Sequence, residues 1–465
     1  MKKIISYSII FVLISLTFSI TILSISGIET NRFNNFISQK INQSNNNFNL
    51  RLKTIRFKFD LKQISLFLET KKPIINYRDV AIPVNNIKVY IDFFSLIKSK
   101  TKISKINVSL DKIDLKQLKK LSTNFKPSNL TSFINNNLFS GMINSEIEIY
   151  PESNSLLDNF IARGSVSDLG AEIVDNLKLE KTSFSFFADR SDILLKKIFS
   201  NTGPIKIIDG NLKLKLDPEI SLVSNFQTKI NYNNKSSKKI NLFKDFKYYK
   251  NIQNLEADLD NNVMINFDET YKIKKYEFKN KGKISNLDMN LENEIKNSFF
   301  KKKLAYFSLK NSEIKLNFDS KKENINILGK YSLNRENYLN FNLSNSLDKE
   351  LSKLKLDIDY DEIIDLSLIN YQKPKGVNSN ILINLEKKGN NYNIKNASFK
   401  EGDNSINLKG LKLRNNKLSS LEKISIQTFN NAIKNNDFEI LYGGKILIKG
   451  SLFDARNLPK QFKMN

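Results

Sequence analysis

The chain has no cysteine, no histidine and no tryptophan among its 465 residues. Without cysteine it forms no disulfide and offers no thiolate nucleophile, and without histidine it lacks the commonest general base and metal ligand in proteins. Much of enzyme chemistry and nearly every transition-metal site are therefore excluded. The lack of cysteine suits an oxidising compartment and a reducing one equally, so it does not decide where the protein resides.

Glycine and proline are also scarce, at 15 and 8 residues. The connections between elements must therefore be built mainly from Asn, Asp, Ser and Lys, which also form turns. Apolar residues are abundant: 40% of the residues are hydrophobic and 11% are aromatic, and this composition excludes a disordered chain. The 26% of charged residues excludes a polytopic membrane protein.

The formal net charge is +26, from 74 basic and 48 acidic residues. Only nine of the basic residues are Arg, whereas proteins that bind nucleic acids concentrate Arg, so we expect no nucleic-acid partner. The scattered Lys residues favour a composition bias typical of AT-rich genomes. Attraction to anionic lipid headgroups is the alternative.

The N-terminus predicts a membrane anchor over residues 1–28. Lys2 and Lys3 precede an uncharged stretch from Ile4 to Ile28, which is long enough to cross a bilayer core of about 30 Å. The Lys pair favours a cytoplasmic N-terminus, so we expect a single-pass protein whose bulk is exported across the membrane. The alternative is a cleaved signal peptide, with Ser24 and Ser26 before the cleavage point.

Residues 29–47 are predicted as an amphipathic helical linker, because their apolar residues recur at helical spacing. These residues are Phe33, Phe36, Ile37 and Ile41. Residues 48–465 form the predicted β-sheet body.

From about Phe48 the period of the sequence becomes two and stays near two almost to the end, which predicts many short antiparallel strands with one apolar face. Few helical breaks are expected, and the clearest are Lys116–Leu121 and Asn129–Phe139. Such a sheet must cover its apolar face by closing into a barrel, pairing with a second sheet, or curling around something apolar. Stacked β-sandwiches are disfavoured, because neither a repeat nor Pro-rich and Gly-rich joints occur.

The residues of the apolar face are the candidate binding residues. They are Ile87, Val89, Ile91, Ile106, Val108, Leu110, Ile147, Ile149, Leu212, Leu214, Leu216, Ile314, Leu316, Phe318, Leu354, Leu356, Ile358, Tyr360, Ile446 and Ile448. No catalytic residue, cofactor site or metal site is predicted. The Asp357, Asp359 and Asp361 series begins like a calcium loop, but Glu362 stands where the loop needs Gly, so we interpret the series as part of a strand.

Several stretches resemble the AsmA-like family of bacterial envelope proteins. Two lie near the N-terminus: the strand pair from Lys72-Pro73 through Asn76–Val80 to Ile87–Ile97, and the strand-then-helix step from Ile103–Leu110 to Asp114–Leu118. A third, Gly443–Ala455, is similar to a hairpin element that recurs in large members of that family.

This resemblance implies a single-pass protein of the bacterial inner membrane with its bulk in the periplasm. It also implies that this bulk is an elongated, curved β-groove that conducts phospholipids from the inner to the outer membrane. The implied partners are membrane phospholipids and, in addition, outer-membrane or other envelope proteins. Two other functions remain open: an assembly or scaffolding factor for the insertion of outer-membrane proteins, and a secreted structural or adhesive β-protein. Enzyme activity is not expected under any of the three.

Overall fold

The computed structural model describes residues 2–31, 34–35, 38–39, 48–91, 103–124, 129–151, 159–174, 177–235, 251–270, 272–297, 300–333, 335 and 337–456. The chain is mainly β, with most strands in one large antiparallel sheet, an apolar N-terminal helix and few short helices. The predicted fold class is confirmed. The chain divides into two units, unit 1 with residues 1–202 and 209–221, and unit 2 with residues 203–208 and 222–465.

Three α-helices have both ends within the described residues, all in unit 1: α1 (Lys2–Ile25), α2 (Leu115–Ser122) and α3 (Asn129–Asn137). In α1 the segment Ile4–Ile25 has a mean hydropathy of 2.4 and is long and apolar enough to cross a membrane. Helix α2 begins where the carboxylate of Asp114 accepts a hydrogen bond from the backbone N–H of Gln117 at 2.7 Å, which satisfies a free N–H of the first turn. Both short helices were predicted.

The prediction of a helix from residue 29 onward is wrong at its start. Residues Ile28–Thr30 form strand β1, which pairs antiparallel with strand β3 (Ile55–Asp60). The tertiary pairing overrides the helical spacing, because the backbone groups of these residues bond to a neighbouring strand. Within the rest of the linker, residues 34–35 and 38–39 are helical, and Phe33, Phe36, Ile37 and Ile41 lie outside the described residues.

Unit 1 contains two sheets. Its main sheet has the order β1-β3-β4-β7-β8-β10-β11-β12-β13, and β9 also pairs with β10. A small sheet has the order β2-β5-β6. The remaining strands are β2 (Phe48–Arg51), β4 (Ser65–Lys71), β5 (Ile74–Tyr77), β6 (Val80–Ile82), β7 (Val84–Ile91), β8 (Ile103–Leu110), β9 (Ile113–Asp114), β10 (Leu138–Ile149), β11 (Phe160–Val174), β12 (Leu177–Ala188) and β13 (Asp192–Thr202).

Strand β14 (Ile205–Lys215) is divided between the units, and the strands after it belong almost wholly to unit 2. Many are longer than the short segments predicted, and the longest has 25 residues. They are β15 (Ser221–Asn233), β16 (Ile252–Phe267), β17 (Ile273–Asn297), β18 (Phe300–Asp319), β19 (Lys322–Ser332), β20 (Leu339–Asp348), β21 (Leu351–Tyr360), β22 (Ile364–Leu366), β23 (Tyr371–Lys373), β24 (Ser379–Lys388), β25 (Asn391–Glu401), β26 (Asn404–Arg414), β27 (Lys417–Asn430), β28 (Ile433–Tyr442) and β29 (Ile446–Leu452).

From β16 to β29 each long strand pairs antiparallel with the next one along the chain, except that β21 pairs with β24. The residues between those two, 361–378, contain the short pair β22 and β23 and a 3₁₀ turn at Ser367–Ile369. We call residues 361–378 the cover segment. Its side chains Ile369 and Tyr371 pack on Ile426 and Phe438 of the large sheet.

One glycine of unit 1 is required by close packing. A Cβ added to Gly164 of β11 would overlap the carbonyl oxygen of Asn144 and lie 2.9 Å from the ring of Phe186, which stands opposite it on β12. We expect Gly164→Ala to lower the free energy of unfolding by about 1–3 kcal/mol, the usual cost of overpacking. Urea unfolding measures this. Gly443→Ala is the control, because its added Cβ meets nothing within 4 Å. Equal midpoints for the two variants would contradict the prediction.

Candidate functional site

In unit 1 the predicted binding residues of three strands form rows on one face of the main sheet. Ile87 stands opposite Val108, and Val108 stands opposite Ile147. In the next row Val89 stands opposite Ile106, which stands opposite Ile149. Residues directly opposite each other in a ladder share a face, so the side chains of β7, β8 and β10 form one apolar surface. We call it the unit 1 face.

The other predicted residues of unit 1 extend this pattern less fully. Ile91 pairs with Leu66 and is buried, and Leu110 pairs with Val84. In β14, Leu212 and Leu214 are half-buried and alternate with exposed neighbours. Leu216 follows the end of β14, and its backbone N–H donates to the carbonyl of Ser191 at 2.7 Å. Alternation thus places Leu212, Leu214 and Leu216 on one side of their segment.

In unit 2 the row through Leu356 is apolar across eleven strands, from β17 to β29. Each member is the direct register partner of the next: Gly282, Ile314, Ile327, Leu343, Leu356, Ile383, Ala397, Leu408, Ile424, Ile440 and Ile448. At a strand spacing of about 4.8 Å, ten steps make a row on the order of 50 Å long. This row is longer than the hydrocarbon core of a bilayer, which is about 30 Å thick and holds two acyl chains end to end.

Rows on either side of this one carry the other predicted residues of unit 2. One row runs from Phe341 through Ile358, Ile381, Phe399, Ile406 and Ile426 to Phe438. The other runs from Leu354 through Leu385, Ile394, Leu411, Leu421 and Tyr442 to Ile446. On β18, Leu316 and Phe318 share the side of Ile314. We call these rows together the unit 2 face.

The exposure of the unit 2 face changes along its width. Leu354, Leu356 and Ile358 are half-buried, since they touch neighbours within the sheet but keep an exposed part. Beneath the cover segment, Ile426 is 7% exposed and Phe438 is 3% exposed. The rows through Leu354 and Leu356 are therefore accessible, whereas the cover segment closes the part of the third row that contains Ile426 and Phe438.

The opposite side of the same strands is polar. Lys355 is exposed beside Leu356 and pairs in register with Ser344 and Asn384. Ion pairs such as Lys423 with Glu439, at 2.9 Å, lie on this side. Because such exposed pairs contribute little to stability, their main effect is to keep this side in water. The sheet of unit 2 is thus two-sided, with one apolar face and one charged face.

Tyr360 is the predicted binding residue that the cover segment removes from the surface. It is 4% exposed, and the Lys373 ammonium lies 5.7 Å from the centre of its ring. Lys373 is itself fully buried and donates to the carbonyl oxygens of Glu362 at 2.9 Å and Pro374 at 3.1 Å. Burial lowers the pKa of Lys373, and the charges of Asp361, Glu401 and Glu362 oppose this shift. Tyr360 therefore helps to hold the cover segment.

The phenol of Tyr306 lies within a polar cluster on unit 2. Burial, together with the hydrogen bond that Tyr306 donates to Asp288 at 2.5 Å, raises the pKa of this phenol to about 12. Because the pKa in the folded protein lies above the ordinary value near 10, the neutral phenol stabilises the fold at pH values below about 10. This contribution is lost as the pH rises from about 10 to about 12. We expect Asp288→Asn to lower the pKa of Tyr306 while burial still keeps it above 10. NMR of ring-labelled tyrosine measures this shift, and Tyr306→Phe assigns the signal. An unchanged pKa would contradict it.

Sequence reasoning missed the cover segment and the small sheet. The signal for the first was a loss of alternation over residues 361–378, with Pro374 and Gly376 inside it. The signal for the small sheet was the apolar alternation of Phe48, Leu50 and Leu52.

Among the described residues, no group of three or more acidic side chains is placed to hold a metal ion. The Asp357 and Asp359 carboxylates lie on strand β21, as predicted, and accept hydrogen bonds from Asn380.

Comparison of the chain with family models, curated proteins and solved structures finds no match. The resemblance to the AsmA-like family therefore stays a prediction carried by its quoted residues.

Proposed function

We propose that the protein is anchored in a bacterial inner membrane by α1 and binds phospholipid acyl chains on the apolar faces of its periplasmic body. In this way it contributes to lipid transport from the inner to the outer membrane and to the integrity of the envelope. The observation that carries this proposal is the eleven-strand row through Leu356, which is apolar, continuous and half-exposed.

The physical argument is that hydrocarbon needs no hydrogen bonds. Each methylene removed from water gains about 0.8 kcal/mol, so a chain laid along the unit 2 face is held without any polar partner. The phosphate of the headgroup requires water or charge, and the charged opposite side of the sheet stays wet. No catalytic group is needed for such binding, and we propose no enzyme activity.

The contacts of α1 support an anchor that stays attached. The hydroxyl of Ser24 donates to the carbonyl of Phe59 on β3 at 3.1 Å, and β1 begins three residues after the end of α1. Cleavage before Gly27 would separate this helix from its strand. Under the alternative of a secreted adhesive protein, N-terminal sequencing would find mature chains beginning near Gly27.

The test is native mass spectrometry of the full chain extracted from membranes in a mild detergent. We expect phospholipid bound at stoichiometric or higher ratio. Protein that is folded but carries no phospholipid in any preparation would remove the basis of the proposal. A folded soluble protein with the same extraction history serves as the control for lipid carried over by the detergent.

One observation favours the second candidate function, an assembly or scaffolding factor for outer-membrane proteins. Strand β29 is exposed along its whole length on both sides, with Ile446 at 68%, Ile448 at 52% and Leu447 at 47%. Exposed apolar strands are a template for pairing with strands of other chains. Depletion of the protein separates the two functions: loss of particular barrel proteins before any change in outer-membrane lipid would favour assembly over transport.

A further inference from the structure

Unit 1 contains a partly open apolar pocket that the sequence did not reveal. It lies where the small sheet of β2, β5 and β6 meets the unit 1 face, and its volume is about 200 Å³. The main sheet lines it with Ile55, Leu68, Thr70, Ile87, Val89, Ile106 and Val108, and the segments on the other side with Leu50, Leu52 and Ile75. We call this cavity the N-terminal pocket.

The surface of the N-terminal pocket offers no polar atom to a ligand. Its two polar residues do not change this, because the hydroxyl of Thr70 is buried and the carboxylate of Glu69 is paired with Lys58 at 3.1 Å. An ordered water needs two to four polar partners, so the apolar lining of this pocket does not hold ordered water. The chemistry that fits it is hydrocarbon.

The size of the N-terminal pocket suits one chain end. An apolar cavity of roughly 150 Å³ is enough to bind benzene, so about 200 Å³ accommodates on the order of eight carbon atoms. A phospholipid headgroup is excluded by its charge. Half of one long acyl chain, ending in its methyl group, matches the volume.

The unit 1 face continues from the lining of this pocket. Val108 and Ile106 line it, and their register partners on β10, Ile147 and Ile149, are the next residues of the same two rows. On β11 the partners of these two are Ala162 and Phe160. A chain whose end lies in the pocket therefore has apolar surface for its remaining carbons.

The pocket also lies close to the membrane helix. Ser24 of α1 bonds to Phe59, and Ile55 of the same strand β3 lines the pocket four residues away, roughly 13 Å along the strand. A chain leaving the bilayer beside α1 would meet this end of the unit 1 face first.

We propose that the N-terminal pocket binds the methyl-terminal half of a single acyl chain, with the rest of that chain lying across β10 and β11. Binding in this pocket would be one step of the proposed lipid-binding function. It rests on that function only in taking the acyl chain from the bilayer around α1. The pocket selects chains by their hydrocarbon end and is indifferent to the headgroup.

The experiment is photo-crosslinking of the full chain in phosphatidylcholine vesicles. One probe is a phospholipid with a diazirine at the end of one acyl chain, and the second carries the diazirine at mid-chain. A third, separate arm uses a fatty acid with the terminal diazirine. We expect the terminal diazirine to label the pocket lining, including Ile75 and Val108, and the mid-chain diazirine to label β10 and β11.

Val108→Trp fills the pocket and is expected to lower terminal labelling there about fifteenfold, the effect of displacing about two methylenes at roughly fourfold each. Ser185→Trp is the matched control, because Ser185 is exposed on β12. Ile75→Trp fills the pocket from the small sheet, so the two filling variants guard against a folding defect in either one. Both should retain the wild-type circular dichroism spectrum.

The outcomes separate the pocket from the proposed function. Labelling of β10 and β11 without labelling of the pocket lining would overturn the pocket while the lipid-binding function stands. If the phospholipid probes label neither the unit 1 face nor the unit 2 face, the proposed function fails. The fatty-acid arm then tests the pocket by itself. Labelling of the lining by the fatty acid then supports the pocket, and its absence overturns it.

Discussion

Leu356→Asp is expected to strip bound phospholipid from the protein and leave it folded. Leu356 lies mid-way in the eleven-strand row and is half-buried, so the exchange removes only about 1 kcal/mol of apolar burial from the sheet itself. An acyl chain crossing the row would have to desolvate the new carboxylate, which costs several kcal/mol when the charge has no partner. We expect the ratio of phospholipid to protein to fall at least tenfold in native mass spectrometry.

Lys355→Asp is the matched control for this prediction. It places the same carboxylate one residue away, on the exposed charged side of β21, where surface substitutions change stability by about 0.5 kcal/mol or less. The bound lipid should remain at the wild-type ratio. Complete unfolding of Leu356→Asp would indicate that this row is a packed core, and equal lipid binding by both variants would show that the row does not carry lipid.

Asn436→Ala is expected to release the cover segment and to destabilise unit 2 by roughly 3–5 kcal/mol. The side chain of Asn436 is fully buried. Its amide donates to the carbonyl of Ile369 and to the hydroxyl of Thr428, both at 2.8 Å, and its oxygen accepts from the backbone N–H of Asp454 at 2.8 Å. Alanine at this position would leave the Ile369 carbonyl, the Thr428 hydroxyl and the Asp454 N–H without their hydrogen bonds to Asn436 inside the protein.

Urea unfolding and limited proteolysis within residues 361–378 measure this effect. Loss of the cover also uncovers Phe399, Ile406, Ile426 and Phe438, so binding of a hydrophobic dye by the native variant should rise. Asn396→Ala is the control, since Asn396 is exposed on the opposite side of β25. A wild-type midpoint and an uncut cover segment in Asn436→Ala would contradict the role we assign to these hydrogen bonds.

The two predictions concern different parts of the unit 2 face. Leu356 belongs to the rows that are open to a ligand, whereas Asn436 holds the segment that closes the row from Phe399 to Phe438. If Leu356→Asp abolishes lipid binding and Asn436→Ala increases it, the cover segment sets the width of the surface on which chains lie.

The sequence by itself determined the class of the fold and the composition of the apolar faces. Alternation with a period of two is a local property, since successive side chains of a strand point to opposite sides. Ile314, Leu356 and Ile448 could therefore each be assigned to the apolar side of its own strand without knowing the neighbouring strands. The apolar length of α1 and the cap of α2 at Asp114 are local in the same sense.

Only the tertiary structure decided which of these residues stay accessible. Periodicity gave Tyr360 and Leu356 the same interpretation, but long-range contacts bury the first under Lys373 and leave the second half-exposed. Likewise Ile28–Thr30 became a strand because β3 supplied a partner 27 residues away. The register of the strands and the burial of their side chains depend on contacts between segments that are distant in the chain. The residues next to a position in the sequence do not determine which strand pairs with it or which segment covers it.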